Sequence, residues 1–162
     1  MDAGSHRMPV LELICPPQTE MLSLIRNVVA TVARERGFSS DEVNLIESAV
    51  DEACTNVICH AYREVARPRG EMPQLSVQIR PASDHLAIRI IDEGIGLPSE
   101  GPRSISCLEE YTSQPEPKGL GLYIISQFMD EVVYDSPPGS GTVLSMVKYL
   151  RRPDSSQAKR YT

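Results

Sequence analysis

Apolar positions recur along this chain with two different periods, and the switches between them mark out the elements. Val10–Cys15 is a short apolar run that reads as a strand, stopped by Pro16-Pro17. Met21, Leu24, Ile25, Val28, Val29, Val32 and Ala33 then recur at steps of three and four, which places them on one stripe of a helix. Gly37 follows where a helix C-terminus is expected. Ser39 and Glu42 have capping-box spacing and predict the start of a second helix. Its apolar face uses Leu45, Ile46, Ala49, Val50, Ala53, Val57 and Ala61. A second stripe carries Ser48, Glu52, Asn56 and His60 at four-residue steps, so these side chains are expected along one side.

After a loop at Arg67–Pro73 the period changes to two. Leu75, Val77 and Ile79 alternate with polar residues, as do Leu86, Ile88 and Ile90. Turn chemistry at Pro81-Ala82-Ser83-Asp84 makes the pair a hairpin. By parity Asp92 falls on the side of Ile90, a carboxylate ending a core-facing row. Residues 97–118 show little periodicity and hold Pro98, Pro102, Pro115 and Pro117; structureless stretches of this length are usually functional or disordered. Gly119–Val132 reads as a third helix with Leu122, Ile125 and Met129 inward. Val132–Tyr134 and Thr142–Leu150 read as two strands joined through Pro137-Pro138-Gly139-Ser140-Gly141. The fold class expected is α/β (α+β): a two-layer sandwich, its mixed sheet covered on one face by helices. The order lacks the regular alternation of a doubly wound fold.

Composition narrows the class. The chain's 162 residues suit one domain, and 41% hydrophobic content suffices for an ordinary core. Residues 1–8 are read as an expression remnant, 9–152 as the domain and 153–162 as a flexible polar tail. The net charge of −6 argues against direct nucleic-acid binding, which needs a basic footprint. No apolar run approaches the roughly 20 residues of a membrane span, and no signal-peptide core is present. Cys15, Cys54, Cys59 and Cys107 form no zinc-type spacing, so free thiols in a reducing cytoplasm are expected.

Three segments carry candidate chemistry, and each alone has an ordinary explanation. Glu52-Ala-Cys-Thr-Asn56 is either a solvated helix face or a reactive one. In the second reading the Asn56 carbonyl oxygen suits magnesium, a hard cation that keeps several waters, and Glu52 accepts a proton from an attacking hydroxyl. Asp92-Glu-Gly94-Ile-Gly96 is either a glycine turn or a base-reading site. A buried carboxylate needs a donor, which an adenine amino group supplies, and the glycines let the backbone approach a flat base. Lys118-Gly119-Leu120-Gly121-Leu122 is either a Gly-rich junction or a phosphate-binding helix N-terminus. It is not a Walker A loop.

In this order and on these elements, the three segments resemble the GHKL ATPase superfamily, over roughly residues 10–150. Glu52 and Asn56 match its N box, Asp92, Gly94 and Gly96 its first glycine box, and Gly119 and Gly121 its second. Gly141-Thr142 resembles the late Gly-Thr that closes the adenine pocket. Within the superfamily the chain is most similar to the bacterial anti-sigma factor serine kinases, through Val50–Tyr62, Phe128–Val132 and Arg26, which matches a partner-contacting Arg. The resemblance implies a Bergerat-type ATP-binding fold and a protein kinase using ATP and Mg2+. Glu52 is then the general base, Asn56 the magnesium ligand and Asp92 the adenine reader, with residues 97–118 as a lid. It also implies two partners, a sigma factor and a STAS-type anti-anti-sigma protein that is phosphorylated on serine. The alternatives are a nucleotide-sensing module without catalysis and an excised histidine-kinase domain. Against the latter, the only early histidine is His6. Val10–Cys15 and the first helix are candidates for a homodimer surface.

Overall fold

The computed structural model describes residues 11–61, 72–94, 120–136 and 140–151. The first two helices follow the apolar stripes closely. Helix α1 spans Glu20–Glu35 and buries Ile25, Val29, Ala30 and Ala33. It is followed by Gly37 at φ +91°. Helix α2 spans Ser40–Asn56 behind a complete capping box. Glu42 N–H donates to Ser39 Oγ at 3.3 Å, and Ser39 N–H donates to Glu42 Oε2 at 2.9 Å. Two of the four orphan donors at that terminus are thereby satisfied. The buried face of α2 takes in Val43 and Cys54 beyond the residues expected, while Leu45 lies at its margin, half-buried.

After Asn56 the helix changes its winding. Val57–Ala61 forms a π-helical turn. Bonds that reach five residues back instead of four slip the four-residue stripe out of line. Glu52 and Asn56 are half-buried together, whereas His60, expected to continue their row, is exposed beyond the slip.

Among the described residues, five strands form one sheet in the order β1-β2-β3-β5-β4. They are β1 Leu11–Cys15, β2 Leu75–Pro81, β3 His85–Asp92, β4 Glu131–Asp135 and β5 Thr142–Tyr149. The β2–β3 hairpin forms as expected, with Ala82 N–H donating to His85 O at 2.8 Å. All four neighbouring pairs are antiparallel. The same-direction relationship in this sheet is between strands that do not touch. β3 and β4 run the same way with β5 inserted between them, which makes a split β-α-β unit around helix α3, Leu120–Phe128.

One sheet face carries Leu75, Val77 and Ile79, Leu86, Ile88 and Ile90, and Leu144 and Met146; all are buried with Ile25, Val29, Ile46, Val50 and Ile125 from the helices. The other face is polar near β1: Ser76 Oγ and Gln78 Nε2 donate to Glu12 Oε1 at 2.7 and 3.0 Å. Those bonds hold the Glu12 carboxyl below its ordinary range. Helix α3 is shorter than its apolar pattern suggested. Asp130 N–H donates to Val147 O at 2.9 Å, so the chain joins β5 and the helix cannot continue.

Candidate functional site

The end of α2, the end of β3, the start of β5 and the start of α3 carry the candidate residues. Glu52 and Asn56 lie one turn apart on α2, and the first turn of α3 sits against them. A methyl group added at Gly121 would lie 2.8 Å from Glu52 Oε2, 3.4 Å from Asn56 Nδ2 and 3.6 Å from Asn56 Oδ1. Any side chain at 121 would displace the carboxylate or the amide. Beyond the approach of phosphate expected for Gly119 and Gly121, Gly121 meets a separate requirement, room for Glu52.

Asp92 is 4% exposed at the end of β3, paired with Thr142 at the start of β5. Its Oδ1 accepts from Gly94 N–H at 2.8 Å. Thr142 donates to it through both backbone and hydroxyl. Burial is the largest influence and raises the carboxyl's pKa, against the opposing pull of the Gly94 and Thr142 bonds. Burial of Asp92 does not depend on an external donor, because neighbours within the chain already donate to it. A carboxylate oxygen has two lone pairs, so capacity remains for an amino group. Ser136 Oγ lies 3.1 Å from Thr142 Oγ1 and donates to Gly141 O at 3.1 Å, extending the polar end of β5.

Two glycines make these approaches sterically possible. Gly141 has φ +78°, and a methyl there would overlap the Asp92 carbonyl oxygen. A methyl at Gly94 would overlap the Ala61 carbonyl at the end of the π turn. The close partner that Gly94 accommodates is therefore the end of the α2–π-turn segment, in place of the flat base expected there. The π turn and the β3 terminus fit each other, and nothing in the periodicity pointed to that contact.

Arg26, the expected partner contact, stands on α1 with Nε 3.6 Å from Asp51 Oδ1, and both side chains are partly exposed. Asp51 adjoins Glu52, so the expected partner residue and the expected base are linked through adjacent positions of α2. Leu120 and Leu122 flank Gly121 in the first turn of α3, both half-buried. Gly96, Lys118, Gly119 and the stretch 97–118 expected to act as a lid lie outside the described residues.

The donor set suits magnesium held in part by a nucleotide. Among the described residues no group of three or more His, Cys, Asp or Glu side chains could hold a metal ion. Magnesium commonly takes one or two protein oxygens and completes its shell with phosphates and water. Asn56 beside Glu52 fits that habit, and a helix N-terminus with glycine in its first turn fits phosphate.

A two-layer fold with an acid and an amide on the second helix, a buried Asp at a strand end and glycine in the first turn of a later helix suits an ATPase domain. The profile of the family described as histidine kinase-like ATPase domain matches residues 15–148, and the chain belongs to that family. It is 33% identical over 153 residues to the serine-protein kinase RsbW of Bacillus cereus strain AH187, covering 91% of this chain and 89% of that protein. It is 32% identical over 157 residues to the serine-protein kinase RsbW of Halalkalibacterium halodurans, covering 91% and 87%. Among solved structures it is similar to the RsbU and RsbW domains of Rv1364c from Mycobacterium tuberculosis. That match has a TM-score of 0.62 at 16% identity, covers 90% of this chain and 33% of the longer one, and supports the fold alone.

Proposed function

We propose that this protein is an ATP- and magnesium-dependent serine protein kinase that also acts as an anti-sigma factor in the cytoplasm. The observation that carries the reading is the pairing of Glu52 and Asn56 against Gly121 at the opening of α3. The kinship with serine-protein kinases supports it. Bound ATP with magnesium supplies the γ-phosphoryl group and the charge neutralisation that transfer needs. Asp92, with Thr142 beside it, receives the adenine amino group. Asn56 offers its carbonyl oxygen to magnesium. The first turn of α3, with Lys118 and Gly119 before it, offers N–H groups and positive charge to the phosphates. Glu52 takes the proton from the attacking serine hydroxyl. Catalysis here is mainly positioning and charge stabilisation, because phosphoryl transfer asks little covalent chemistry of the protein. The phosphorylated protein is a STAS-type antagonist, and the protein held in the other state is a sigma factor; Arg26 is the contact on α1.

The test separates binding from chemistry. Calorimetry with ATP, with and without magnesium, is expected to show magnesium-dependent binding that weakens at least about tenfold in Asn56→Ala. In Glu52→Ala, ATP binding is expected to persist while transfer to a serine-bearing antagonist falls by about 10²-fold or more, the usual weight of a general base. Unchanged transfer in Glu52→Ala defeats the assignment of Glu52 as the general base. ATP binding without transfer by the wild type points instead to a nucleotide-sensing module.

A further inference from the structure

Lys148 does not belong where it stands by hydropathy. It continues the core-facing row of β5 after Leu144 and Met146 and is 4% exposed. An ammonium group is costly to bury unless it is paired and hydrogen-bonded. Here it is both. Nζ donates to the Phe128 carbonyl at 2.8 Å and to Asp130 Oδ1 at 3.3 Å. Phe128 is the last residue of α3, whose final turn carries no basic residue of its own. The buried cation thus satisfies a terminal carbonyl and meets the negative end of the helix dipole.

Asp130 extends the fastening. Its Oδ2 accepts from Tyr149 N–H at 2.7 Å, and its own N–H donates to Val147 O at 2.9 Å. Three consecutive residues of β5, Val147, Lys148 and Tyr149, therefore grip the turn that ends α3. The other end of the same nine-residue helix is the turn whose Gly121 abuts Glu52 and Asn56. The helix is short, about 13 Å long at 1.5 Å per residue, so its two ends are separated by little more than two turns. Fixing its C-terminus fixes where its N-terminus can lie.

We infer that Lys148 is a positioning residue: gripping the Phe128 carbonyl and Asp130, it holds the first turn of α3 in register with Glu52 and Asn56. The consequence for nucleotide rests on the reading proposed above. The placement of α3 itself does not, so the two can fail separately.

Lys148→Met keeps the unbranched apolar stem as far as Cε but removes the ammonium and with it the grip, and Lys148→Arg restores a donor. Asp130→Asn is a second probe should the Met variant fold poorly. Without nucleotide, amide exchange is measured over α3 and α2. In Lys148→Met, exchange at Leu120–Phe128 is expected to rise at least about fivefold while Ser40–Asn56 is unchanged, and Lys148→Arg is expected to return it towards wild type. Calorimetry with ATP and magnesium, well below each variant's Tm, is expected to show about tenfold weaker binding in Lys148→Met and recovery in Lys148→Arg. If α3 exchange and ATP affinity both match wild type in folded Lys148→Met, the inference is overturned. Faster exchange spread equally over α2 and α3 overturns it too, since Lys148 is then a general core residue. Faster exchange confined to α3, in a protein whose wild type binds no ATP, upholds the positioning role and overturns the nucleotide reading.

Discussion

The side chains that matter most here are ones whose neighbours leave them little choice. Asp92 is buried and its pKa is raised, burial outweighing its hydrogen bonds. A carboxyl whose folded pKa lies above its unfolded value stabilises the fold below the unfolded pKa, and that contribution is lost as pH rises through the folded one. The window runs from the ordinary value of 3.8 up to the raised one. Most carboxylates in acid denaturation act in the opposite sense, so the difference between wild type and Asp92→Asn isolates the effect. On acidification through that window, wild type is expected to gain stability relative to Asp92→Asn in urea titrations. Gly121 gives a second residue-level test. Alanine favours a helix over glycine by about 1 kcal/mol, and the group it would strike is the free end of a flexible side chain. Gly121→Ala is therefore expected to fold with stability within about 1 kcal/mol of wild type. Its phosphoryl transfer is expected to fall at least tenfold, because Glu52 has to swing away; misplacement by about 1 Å can cost 10²-fold. Paired thermal melts and transfer assays read both.

At the scale of elements, α2 is set by its cap and broken by its π turn. Ser39→Ala removes the acceptor for Glu42 N–H and is expected to cost about 1 kcal/mol. In a chain of this size that lowers Tm by roughly 2–4 °C, with ATP affinity unchanged because the cap is at the far end of the helix from Asn56. The helices α1 and α2 and the β2–β3 hairpin were legible because their periods are strict and their ends carry the right residues. The π turn was not. Its residues Val57–Ala61 continue an α-helical stripe, and what distinguishes the segment is the close fit of Gly94 on Ala61, a contact between distant parts of the chain. The end of α3 departs from its apolar pattern for a similar reason. The apolar spacing runs through Met129 to Val132, and only the bonds to β5 stop the helix at Phe128. The candidate site was legible as three motifs. That Gly121 clears space for Glu52, and that Asp92 draws its donors from Gly94 and Thr142, are facts of packing that no spacing reports.

For the whole molecule, the expected ligand bridges two layers. Asp92 and Thr142 belong to the sheet, and Glu52, Asn56 and Gly121 to the helices. A ligand that binds only the folded state stabilises it by about 2.7 kcal/mol at a hundred times its Kd. ATP with magnesium is therefore expected to raise Tm by roughly 5–10 °C, a shift that a chelator reverses in part. The order of the sheet bears on how the molecule is made. Among the described strands, the one furthest along the chain, β5, lies between β3 and β4 and supplies Thr142. A polypeptide leaves the ribosome from its N-terminus, so β3 waits with an unpaired edge until β5 emerges. During that wait the nascent chain shows an open strand of Leu86, Ile88 and Ile90, a template for association with its neighbours. Synthesis halted short of Thr142 would release a chain that has Glu52 and Asn56 yet lacks the strand that pairs with Asp92.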